Sequence, residues 1–96
     1  MKRLSAAERK REMVGFVRTL HDGEETRTHW RNLVADFLLR LGGGEEASRW
    51  KELPFEVQER MMAELMPELS YARLRKMAFL EIDRAFKALS PQNTPS

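Results

Sequence analysis

Apolar residues recur at helical spacing in four stretches of this chain. The cleanest is Trp30, Leu33, Val34, Phe37, Leu38 and Leu41, stepping by three, one, three, one and three, which places all six on one face over three turns. This predicts a helix over residues 28–41, with Thr26 or Thr28 as its cap and Gly42-Gly43-Gly44 as its stop. Ahead of it, Met13, Phe16, Val17 and Leu20 follow the capping-box pattern Ser5-Ala6-Ala7-Glu8, and Asp22-Gly23 supplies a stop. They predict a helix over residues 5–21. Beyond the glycines, Glu45 to Glu52 reads as a short helical turn that carries Trp50 to the core.

Leu53-Pro54 marks a boundary, because proline restricts its predecessor and suits a first helical turn. A third principal helix is expected over 54–66, stopped by Pro67. The fourth is expected over 70–89, capped by Ser70 and ended ahead of Ser90-Pro91, with Leu74, Ala78, Ile82, Ala85 and Leu89 on its core side. No stretch alternates as a strand would. The expected fold is all-α: a compact bundle of four principal helices forming one domain over 1–89, with short connections favouring antiparallel neighbours. The tail 90–96, SPQNTPS, has no apolar anchor and is expected to be disordered.

Composition adds bounds rather than identity. The chain has 96 residues, enough for one domain. No apolar run reaches the roughly 18 residues of a membrane span, and no apolar stretch of a secretory signal follows MKRLSAAERKRE. With no cysteine there is no disulfide, thiolate site or cysteine nucleophile, which fits a cytoplasmic protein.

Charge changes the picture more than its sum of +2 suggests. Residues 1–20 carry six Lys/Arg against two acids, residues 21–70 six against eleven, and residues 71–96 five against two. The ends are basic and the middle is acidic. Either the ends pair with the middle inside the molecule, or they converge into one basic face. On a continuous fourth helix, Arg73, Lys76, Arg84 and Lys87 fall within an arc of roughly 80°. Leu80 lies in their midst and Met77 at their edge, so these six residues form the expected partner-binding surface, unless the first helix covers Leu80. Lys2, Arg3, Arg9, Lys10 and Arg11 form a second basic group, suited to a phosphate backbone.

Catalytic chemistry finds little support. His21 and His29, with Asp22, Glu24 and Glu25 between them, match no metal-ligand spacing on one helix. His29, Asn32 and Asp36 share a polar helix face without a pocket, and the glycine triplet lacks the Lys-Ser/Thr of a phosphate loop. No cofactor and no enzymatic activity are expected. The leading expectation is a helical interaction protein (a regulator, adaptor or inhibitor) docking on a macromolecule, protein ahead of nucleic acid, through the last helix. The alternative is a small dimeric nucleic-acid-binding protein. As a helix-turn-helix its last helix is poor in the amide and hydroxyl side chains that read base edges. A further expectation is a homodimer through Met61, Met62 and Met66.

Overall fold

Ser5 opens the first helix, α1 (Ala6–Arg18), with the capping box its sequence announces. Its hydroxyl accepts the Glu8 N–H at 3.1 Å, and the Glu8 carboxylate accepts the Ser5 N–H at 2.8 Å. The computed structural model describes residues 3–19, 21–41 and 43–89; Lys2, Leu20, Gly42 and the 90–96 tail lie outside the described residues. Next come α2 (Glu24–Arg40), α3 (Gly44–Glu52), α4 (Phe55–Leu65), a 3-10 turn (Pro67–Leu69), α5 (Tyr71–Leu74) and α6 (Phe79–Leu89). The described residues are all-α without strands, in six helices rather than four principal ones.

Three boundaries differ from expectation, the first being the end of α1 at Arg18 rather than 21, where Thr19 donates both its N–H and its hydroxyl to the Gly15 carbonyl. α2 starts at Glu24, and neither threonine caps it: Thr26 donates to the His21 carbonyl at 2.9 Å and Thr28 to that of Glu24 at 2.8 Å. Glu24 and Glu25 favour the positive helix N-terminus, yet they add nothing to a hydrophobic stripe and so leave the first turn invisible to periodicity. The expected helix over 70–89 divides in two. Ser70 does cap its first part, accepting the Arg73 N–H at 3.3 Å. Past Leu74 the chain tightens, with Lys76 and Met77 donating to carbonyls three residues back, and α6 restarts when the Glu81 carboxylate accepts the Ala78 N–H at 2.8 Å.

The core is built around Trp30. Its indole sits edge-on to Trp50, Phe55 and Tyr71 at 5.2, 5.6 and 5.5 Å between ring centres, and Phe16 adds an edge contact to Tyr71. The Trp30 N–H donates to the Leu69 carbonyl at 2.9 Å, which ties α2 to the 3-10 turn. Gln58 is fully buried and satisfied: its amide donates to the Trp50 carbonyl at 2.7 Å while its oxygen accepts Arg31 Nε at 2.9 Å. Of the three methionines expected at a dimer contact, Met62 is buried in this core, while partly buried Met61 and Met66 pack against it.

α1 packs on α2 and on α6, α2 also packs on α3, and α4, α5 and α6 meet at the 3-10 turn. The α1–α2 crossing depends on Gly15, where an added Cβ would stand 2.5 Å from His29 Nε2. A side chain there would force the His29 imidazole to shift from its 2.7 Å bond with Glu12. The radius of gyration, 12.5 Å, is that of a compact chain of this length. Among the described residues, no helix is long and apolar enough to cross a membrane.

Candidate partner-binding surface

The division after Leu74 redistributes the basic stripe. Arg73 belongs to α5, Lys76 to the turn, and only Arg84 and Lys87 to α6. The four cations therefore do not form one helix face. Arg73 and Lys76 are exposed, and Met77 packs against the core instead of joining the surface. Arg75, which the stripe left out, has a structural task. Its guanidinium donates to the carbonyls of Thr19 at 2.9 Å and Phe16 at 3.3 Å and lies over the Phe16 ring. It thus satisfies carbonyls that the end of α1 leaves open.

On α6 a smaller version of the surface survives. Leu80, Arg84 and Lys87 fall within an arc of about 60°, turned away from buried Ile82 and Phe86. Leu80 is 68% exposed, so α1 does not cover it. Arg84 has no ion-pair partner among the described residues, while Lys87 reaches Asp83 at 3.0 Å.

The contacts among the described residues bear on both charge readings. Its ion pairs are Asp22–Arg27, Glu12–His29, Glu24–Arg31, Asp36–Arg40, Glu45–Arg49 and Asp83–Lys87. Among the described residues none of these joins a lysine or arginine of the basic ends to an acid of the middle, although the charge of Arg75 helps to lower Asp22. Instead the ends draw together. The Leu4 N–H donates to buried Asp36 at 2.8 Å and Arg40 donates to the Leu4 carbonyl at 3.1 Å, which fixes the N-terminal segment to the last turns of α2. Phe86 meets Phe37 on the same stretch of α2, and α6 packs on α1. Arg3, Lys10 and Arg11, all exposed, and half-buried Arg9 thus share an end of the molecule with Arg84 and Lys87.

Asp22, Glu24 and His29, at the junction of α1 and α2, are occupied by structure. Asp22 takes a two-pronged contact from Arg27, both atoms at 3.0 Å, and a 2.6 Å bond from the Tyr71 hydroxyl. Arg27 first and Tyr71 second hold its carboxyl down at about 2. Burial, reinforced by the Asp22 carboxylate, pushes the Tyr71 phenol up to about 12. Glu24 is lowered by Arg31, Arg27 is raised by Asp22, and His29 bonds Glu12 at 2.7 Å. An open cleft of about 540 Å³ lies here, lined by Gly15, Arg18, Thr19, His21 and Glu25. The Thr19 hydroxyl in it donates to the Gly15 carbonyl at 2.8 Å, and no three His, Asp or Glu side chains among the described residues are placed to hold a metal ion. The sequence signal for this junction was present, since Asp22, Arg27, Tyr71 and Arg75 are all polar residues close to apolar ones. Nothing in their spacing paired them.

The chain matches no protein-family model, and neither a curated protein nor a solved structure shows significant similarity to it.

Proposed function

We propose that this chain is a non-enzymatic helical interaction protein, a regulator, adaptor or inhibitor, that docks on an acidic macromolecular partner through the outer face of α6. The observation that carries this reading is Leu80, a large apolar side chain left 68% exposed at the start of α6, with Arg84 and Lys87 one and two turns further along the same face. An apolar centre with a charged rim provides adhesion at the middle and steering around it. Arg73 and Lys76, exposed just before α6, extend the positive approach.

The test is capture from native lysate with nuclease added, comparing the wild type with Leu80→Asp and with Arg84→Glu/Lys87→Glu. A nuclease-resistant partner should be retained by the wild type and weakened by about tenfold or more in both variants, as expected for a central anchor. Equal retention by all three would defeat the reading. A second reading, contact with a nucleic-acid backbone, is favoured by the convergence of the Arg3–Arg11 segment with α6. It requires affinity for duplex DNA or RNA to fall with salt at a log–log slope near −3 to −4.5, the signature of about three to five neutralised phosphates.

A further inference from the structure

We propose that the acidic surface fitted by the α6 face is carried by a second copy of this chain, giving a two-fold dimer. The inference rests on the reading of α6 as a docking face and names its occupant. The two most exposed large hydrophobic residues described are Leu65, at 72%, and Leu80, at 68%. Their surroundings are opposite in sign. Glu64 precedes Leu65, and exposed Glu68 follows it on the 3-10 turn; neither glutamate has an ion-pair partner among the described residues. Leu80 has Arg84, unpaired among the described residues, one turn along its face and Lys87, which also reaches Asp83, two turns along. The acidic patch and the basic patch do not pair with each other within one molecule.

Their placement suits a reciprocal contact. Leu65 ends α4 two residues before the 3-10 turn, and α6 packs against that same turn. A two-fold axis beside the turn lets the Leu65 patch of one copy meet the Leu80 patch of the other, twice over. Self-complementarity of this kind, in which residue i meets j and j meets i, is what a closed dimer requires. Each contact covers an exposed leucine and sets Glu64 and Glu68 against Arg84 and Lys87. An interface this small is expected to be weak and salt-sensitive.

Sedimentation of the full chain tests the proposal, from about 10 µM to about 1 mM and at about 50 and 500 mM salt. The expected result is a monomer that becomes a dimer with concentration at low salt and reverts at high salt. Glu64→Lys/Glu68→Lys and Arg84→Glu/Lys87→Glu should each stay monomeric with unchanged helicity. Mixed in equal amounts, the two variants should associate, because each then offers what the other has lost. A wild type that stays monomeric, variants that dimerise alone, a mixture that fails to associate, or growth beyond two copies would each overturn it. Should the wild type be monomeric while Arg84→Glu/Lys87→Glu still loses a captured acidic partner, self-association falls and the docking reading stands. If that variant also keeps every partner, both fall.

Discussion

Tyr71 and Asp22 show how much one pair of side chains settles. The phenol is nearly buried against Phe16, Trp30 and Phe55, yet its oxygen emerges onto a carboxylate that Arg27 already holds. Because the phenol is raised to about 12, its contribution to stability is complete below pH 10 and is lost as pH climbs through 12. Asp22, lowered to about 2, works the other way, its contribution present above pH 4 and lost as pH falls toward 2. Tyr71 is the only tyrosine in the chain, so phenolate absorbance reads it alone. Its titration midpoint should stand near 12 and move part of the way back toward 10 in Asp22→Asn, since burial is the larger cause. A midpoint near 10 in the wild type would contradict the contact. None of this was legible beforehand. Periodicity places Trp30 and Phe16 inside, but a bond spanning 49 residues leaves no trace in local spacing.

At the scale of elements, the start of α1 and both ends of α3 and α4 followed the sequence closely because they are written in local chemistry: a capping box, glycines, and prolines on either side of α4. The break between α5 and α6 was not written that way. No glycine or proline occurs from Ser70 to Leu89, and Leu74, Ala78 and Ile82 continue the helical rhythm across the turn. At the break one contact is tertiary, Arg75 reaching the end of α1, and one is local, Glu81 folding back on the Ala78 N–H. The restart is half of a capping box, with alanine where serine would be. Ala78→Ser should complete it and stabilise the protein by about 1 kcal/mol, read as a higher urea midpoint with an unchanged slope. A neutral or destabilising result would mean that the chain does not turn at this residue. The candidate surface shares this history. Leu80, Arg84 and Lys87 were legible as a face because they lie within one helix, whereas Arg73, Lys76 and Met77 were grouped with them by a continuity that the break abolishes.

For the molecule as a whole, the main fact is that the basic start of the chain and α6 are packed along the same stretch of α2. The sequence showed both charges but not their meeting, because helix periodicity says which face is buried and not which helices are neighbours. Asp36 makes the meeting. It is 3% exposed, accepts the Leu4 N–H and pairs with Arg40 at 2.8 Å, so it anchors the segment ahead of α1. Asp36→Ala leaves Arg40 without its partner and Leu4 without its acceptor. A loss of about 3 kcal/mol is expected in chemical denaturation, accompanied by faster amide exchange in the first turn of α1. Unchanged exchange there would show that the N-terminal segment is held by something else.

The aromatic cluster around Trp30 has one more consequence, which concerns light. Both tryptophans and the lone tyrosine meet at this junction, with Tyr71 5.5 Å and Trp50 5.2 Å from Trp30. At such separations excitation passes readily from the phenol to the indoles, so the chain's intrinsic emission is the report of a single place. That place joins α2, α3 and α5. The outer face of α6 carries no chromophore of its own, so a molecule settling on Leu80 would leave the native emission as it was.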